Sequence, residues 1–196
     1  MYKITLYVFI FLAPTYAASQ EFQSINNATD GYSIDVPSIW SEKIIHDAIG
    51  TPTRFFLDAS NKKGRGYCQI QLINVPKGRL GKASEKEIDK FLSTKWEIDD
   101  WTQTFPNLLS SPGFRSINSY SLTTASGKPS AMHDFIFNNP SVGIYYRTRA
   151  SLLMSKEKFF SLWCIRIGKN ETDAVNNFSL LLPIFQRVQY SFRLKN

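Results

Sequence analysis

The sequence predicts an α+β fold, with a largely antiparallel sheet flanked by helices. Short strand-like runs recur from Gly31 to Ile167, and turn-forming residues separate most of them. Two stretches only, one mid-chain and one near the end, carry the 3.6-residue apolar period of a helix. Runs of strands interrupted by occasional helices point to α+β rather than to alternating βαβ units.

Taken in order, the chain opens on a leader. Lys3 supplies a positive charge, Leu6 to Ala13 is an apolar run, and Thr15-Tyr16-Ala17 offers small residues before a cut after Ala17. That is the layout of a secretory signal peptide, and the run is short of the roughly 20 residues a membrane span needs. Residues 1–17 are therefore expected to be a signal peptide, 18–30 a flexible lead-in, and 31–196 a single domain. No transmembrane segment is expected in the mature chain.

Gly31 to Pro37 (GYSIDVP) alternates Tyr32, Ile34 and Val36 against Ser33 and Asp35, a strand that Pro37 ends. Trp40–Ile45, Arg54–Ala59 and Tyr67–Val75 continue the strand run, with a turn at Asn61-Lys62-Lys63-Gly64. Ser84 and Glu87 have the spacing of a capping box. Behind them Ile88, Phe91, Leu92 and Ile98 share one side of a helix expected to run to about Asp100. Strand-like segments follow at Arg115–Thr124, Pro129–Phe137, Val142–Met154 and Lys158–Ile167, an antiparallel meander. A last helix begins after Thr172, and Pro183 should kink or split it.

The formal charge is +7, falling to +6 without Lys3. An exported basic chain suits an acidic protein or an anionic surface, with nucleic acid the least fitting partner. Cys68 and Cys164 are the two cysteines. Cys68 is in phase with the apolar face of its strand, and Cys164 lies opposite Trp163, Ile165 and Ile167. That parity argues against a shared face unless both sides of the sheet are covered, so a disulfide and two buried thiols both stay open.

Nothing has zinc-ligand spacing, and no metal or cofactor is expected. His46 and His133 are each alone, and His133 alternates with Ala131, Phe135 and Phe137 as a core histidine would. Glu97, Asp99 and Asp100 place negative charge at the end of the mid-chain helix, against its dipole. Several groups are candidate contact surfaces. Tyr145, Arg147 and Arg149 share one strand face, where the bland alternative is pairing with carboxylates of a covering helix. Lys77, Arg79 and Lys82 sit in a Pro/Gly-rich basic loop. Trp96 and Trp101 lie off the apolar stripe of their helix, so Trp101 is a candidate exposed contact.

The G-Y-S-I-D-V-P strand followed by Trp40, the long meander, and a terminal helix running into Ser191-Phe192-Arg193 resemble the PsbP-like superfamily. That superfamily includes the bacterial DcrB-like proteins and the Eag chaperones of type VI secretion. The resemblance implies an antiparallel sheet flanked by helices that serves as a binding or accessory module. It implies no shared catalytic motif, so no active-site residues carry over, and the leader argues against the cytoplasmic Eag role. The expected function is an exported, non-enzymatic protein-binding module, either an envelope adaptor or an immunity-type protein. Two alternatives are a small-molecule or lipid carrier with a pocket between sheet and helix, and an enzyme built on Cys164 or His133.

Overall fold

The computed structural model describes residues 20–46, 52–58, 66–74, 83–105 and 113–195. The expected signal peptide and the loop carrying Lys77, Arg79 and Lys82 lie outside these residues. Strands β1 (Phe22–Asn27) and β2 (Tyr32–Pro37) form a small antiparallel sheet with β10 (Arg193–Leu194), in the order β1-β2-β10. A seven-stranded sheet is built from β3 (Ser41–His46), β4 (Pro52–Leu57), β5 (Gly66–Asn74), β6 (Arg115–Thr123), β7 (Pro129–Asn139), β8 (Ile144–Met154) and β9 (Lys158–Gly168). Its order is β3-β4-β5-β9-β8-β7-β6, and every pairing is antiparallel. Helices α1 (Glu85–Ser93) and α2 (Ile98–Thr104) cover one face, and α3 (Glu171–Ser191) covers the other together with the small sheet.

The α+β prediction therefore holds, and the four meander strands lie where the turn residues placed them. Gly127 (φ 78°) closes the β6–β7 turn in the left-handed region, which a glycine enters without steric cost. Each face of the large sheet has its own core. On the α3 side Ile34, Phe56, Cys68, Ile70, Phe160, Leu162, Phe185 and Val188 pack together. On the other side Ile88, Leu92, Trp96, Trp101, Phe135, Leu152 and Phe159 do so.

Strand β2 meets the last of the described residues. Phe192 stacks on Tyr32 with centroids 5.2 Å apart, Ser191 Oγ accepts from the Asp35 amide at 2.9 Å, and Arg193 approaches Asp35 at 3.7 Å. The residues that carry the family resemblance at either end are thus one packed unit.

Five local expectations are corrected. The segment read as a lead-in contains β1, whose pattern is mostly polar because only Phe22 and Ile25 reach the core. Its strand conformation comes from pairing with β2 along six register partners. The mid-chain helix is two helices, because Thr94 adopts an extended conformation (ψ 145°) and its N–H and hydroxyl turn back onto Lys90. Breaking there buries both Trp96 and Trp101 (3 % and 0 % exposed). Two buried tryptophans stabilise by roughly 4–6 kcal/mol each at 25 cal/mol per Å², against about 1 kcal/mol for each helical hydrogen bond given up. Trp101 is therefore a core residue, not an exposed contact.

The break also moves the acidic cluster. Asp99 and Asp100 lie in the first turn of α2, and Asp100 accepts from the Glu97 amide at 2.8 Å. Negative charge there suits the helix dipole, so the conflict read from the sequence disappears. Finally, α3 continues unbroken through Pro183. Pro183 and Ser179 are both exposed, so the carbonyl that loses its donor faces water.

Candidate functional site

Cys68 and Cys164 are direct register partners in β5 and β9, with Cα atoms 4.0 Å apart, and they form a disulfide. The parity argument fails here for the reason it allowed: both faces of the sheet are covered, so apolar residues alternate on neither. Cys164 faces α3, while Trp163 packs into the opposite core.

Arg147 and Arg149 share a face, as their spacing requires, and that face lies beneath α3. Both are buried. Their carboxylate comes from the neighbouring strand, not from the helix. Asp134 sits opposite Arg149 in the β7–β8 register and accepts from its Nε and Nη2 at 2.8 Å each. Arg147 Nη2 reaches the same carboxylate at 3.4 Å, and its Nη1 donates to the carbonyls of Thr148 (2.8 Å) and Phe135 (3.3 Å). The helix supplies Phe178, whose ring centroid is 4.5 Å from the Arg147 guanidinium carbon. Burial pulls the Arg147 pKa down, with Asp134 opposing. Two guanidiniums share one carboxylate, so the buried cluster keeps a positive balance. Tyr145, half-buried at the start of β8, makes no polar contact with this cluster among the described residues.

Above the cluster a groove of about 380 Å³ opens between α3 and the β6–β8 end of the sheet. Tyr120, Leu122 and Met132 form its floor with Arg149, and Gln186, Arg187, Gln189 and Tyr190 form its helical wall. Gln189 is 1 % exposed. Its Nε2 donates to the Arg149 carbonyl at 3.1 Å, and its Oε1 has no protein partner. The Arg187 guanidinium stacks over Phe22 at 3.9 Å and makes no ion pair among the described residues. The Tyr120 hydroxyl is pushed up to about 12, by burial first and then by the Asp134 charge. It therefore stays protonated at neutral pH.

On the opposite face His133 is fully buried, its Nε2 2.8 Å from Ser116 Oγ and its ring 4.9 Å from Trp101. Burial pushes its pKa down to about 4. No acid stands behind Nδ1, which has no protein partner, and Asp134, the next residue, faces the other side of the sheet. The pair lacks the third group that orients a histidine base. Cys164 is bonded to Cys68 and carries no free thiol. Among the described residues no three His, Cys, Asp or Glu side chains converge as a metal site.

Sequence reasoning found Arg147 and Arg149 and offered a pocket between sheet and helix as an alternative, but missed Asp134, Gln189 and the other residues that line the groove. The signal for Asp134 was present. A carboxylate inside Ala131-Met132-His133-Asp134-Phe135-Ile136-Phe137 has to be paired if that strand is buried. Nothing comparable marks Gln189, which is one polar residue on a helix.

No family model matches the chain, and no curated protein matches it in sequence. Solved structures do match in shape. The solution structure of PsbP (CyanoP) from Synechocystis sp. PCC 6803 superposes with a TM-score of 0.55 at 13% identity, covering 88% of this chain and 92% of that one. LpqN of Mycobacterium tuberculosis, described as involved in cell envelope biogenesis, superposes with a TM-score of 0.52 at 10% identity, covering 92% and 94%. At such identities the likeness concerns fold alone, and the conclusion it supports is that this chain has a PsbP-like fold.

Proposed function

We propose that this chain is an exported, non-enzymatic binding module with an accessory role at the cell envelope, working at the groove between α3 and the sheet. The groove carries this reading, because it is an open, largely apolar recess beside a positively charged cluster. The groups that could do chemistry are otherwise engaged: Cys164 in a disulfide, His133 held neutral in a core, Arg149 clamped on Asp134. The leader-like first residues support export, and among the described residues no helix is long and apolar enough to cross a membrane. The envelope role known for LpqN is in keeping with this. A protein partner, acidic where it meets Arg187, is the leading occupant, as an envelope adaptor or an immunity-type protein would require.

The test is cross-linked affinity purification of the mature protein from its native envelope, with mass spectrometry of what it retains. One stoichiometric protein, lost in an Arg187→Glu variant, is the expected result. Recovery of the chain alone in repeated preparations would overturn the protein-partner reading. A second reading, a small-molecule or lipid carrier, is favoured by the size of the groove, which lies in the usual range for ligand sites of roughly 300–1,000 Å³.

A further inference from the structure

A second recess, of about 650 Å³, opens where the β1–β2, β6–β7 and β8–β9 turns meet β10 and Lys195. It shares no lining residue with the groove beside α3. Phe160 and Leu194 give it apolar surface, and Lys128, Lys156, Lys158 and Lys195 give it charge. The four lysines differ in their partners. Lys128 is answered by Glu85 and Asp89, each at 3.2 Å, and the other oxygen of Glu85 accepts from the Lys156 amide at 3.3 Å. Lys156, Lys158 and Lys195 have no ion pair among the described residues, and the one further carboxylate that lines the recess is that of exposed Glu157.

Lys158 is half-buried, and its Nζ donates at 2.7 Å to the Asp30 carbonyl, a neutral acceptor. The ammonium lies against the recess wall at Gly31 (φ 75°), where a Cβ would stand 3.0 Å from it. Lys195 Nζ likewise donates to a neutral acceptor, Asn26 Oδ1, at 2.5 Å. Burial of a cation is costly without a counter-charge, and no carboxylate of the described residues meets Lys158.

We infer that this recess binds the phosphate group of an organic phosphate ester, with the organic part against Phe160 and Leu194. The surplus of cations selects an anion. Those cations come from separate segments, the β8–β9 hairpin and the residue after β10. A tetrahedral phosphate turns acceptor oxygens to several sides at once, whereas a carboxylate has two in one plane. Inorganic phosphate alone would leave the apolar wall and most of the volume unused. A soluble phosphate ester and a phospholipid head share this chemistry.

The experiment is calorimetric titration of the full mature chain with phenyl phosphate and with benzoate, then sedimentation with phosphatidic acid vesicles. Phenyl phosphate should bind at one site per chain, about fivefold tighter than benzoate. Lys158→Met, with its fold checked by thermal unfolding, should weaken phenyl phosphate about tenfold. Lys156→Gln, at an exposed position, should weaken it about threefold, and Lys86→Gln, an exposed lysine of α1 outside the recess, should leave it unchanged. Should Lys158→Met not fold, the contrast between the last two variants still decides. Equal losses in those two, or no loss in any variant, overturn the site. Benzoate binding as tightly as phenyl phosphate overturns the phosphate assignment, and no binding of either overturns the inference as a whole. Sedimentation relieved by phenyl phosphate identifies a lipid head as the source, and binding without sedimentation identifies a soluble ester. None of these outcomes bears on the groove beside α3.

Discussion

Asp134 pairs with two buried guanidiniums, and among the described residues no other carboxylate contacts either. Asp134→Asn removes the shared counter-charge and leaves both largely buried cations only neutral acceptors. The expected loss is about 3–5 kcal/mol in urea unfolding at neutral pH. A loss under 1 kcal/mol would mean that the cluster is hydrated. His133, one residue earlier and on the other face, makes a pH prediction. Its folded-state pKa is about 4 against an ordinary 6.5, so below pH 6.5 the unfolded chain takes up the proton first. Its contribution is complete above about pH 6.5 and is lost as the pH falls towards 4. At 1.36 kcal/mol per pKa unit this is on the order of 3 kcal/mol. Stability measured from pH 7 to 4 should fall less steeply in His133→Gln than in the parent. Parallel profiles would show that His133 titrates normally.

Among the elements, β5 and β9 form the seam where the first run of strands joins the meander. The disulfide crosses that seam between residues 96 positions apart. Closing so long a loop restricts the unfolded chain, and removing a native disulfide typically costs about 2–5 kcal/mol. The paired Cys68→Ala and Cys164→Ala variant should be destabilised by that amount in denaturant, and an unchanged midpoint would assign the seam's stability to the ladder and core alone. The start of α3 is as tightly constrained. A Cβ at Gly168 would lie 2.3 Å from the backbone nitrogen of Ala174, a contact with backbone that no side-chain rotation relieves. Gly168→Ala should lower stability by about 1–3 kcal/mol, read from thermal unfolding. Wild-type stability in that variant would require α3 to shift away from β9 without loss.

For the whole molecule, the seven-stranded sheet is common to both cores, and α3 ties the small sheet to it through Phe185, Val188 and Phe192. Such sharing leaves no unit able to open without exposing apolar surface of the next. Unfolding by denaturant should be a single transition, with tryptophan fluorescence reporting mainly the α1–α2 side and far-ultraviolet dichroism reporting the strands. Two separated midpoints would show that one face unfolds independently. The same arrangement positions the groove, since α3 leaves the β6–β8 end of the sheet uncovered beside Tyr190, which is half exposed.

Local chemistry made much of this legible in advance. Period-two alternation and turn residues located the meander, because a strand with a covered face and a tight turn must write itself into neighbouring residues. The capping box of Ser84 and Glu87 marked the start of α1 for the same reason. Other features depend on partners distant in the chain. β1 is a strand because β2 lies beside it, and the two helices divide after Ser93 because two tryptophans gain a core. Cys68 meets Cys164 because both sheet faces are buried, which defeats any inference from alternation. Arg149 was visible as a cation on a strand face. That its counter-charge comes from the next strand, and that Gln189 of the last helix leaves an acceptor unpaired beside it, follows from packing between segments 15 and 40 residues away. Local periodicity carries no information about which distant groups will share a buried space.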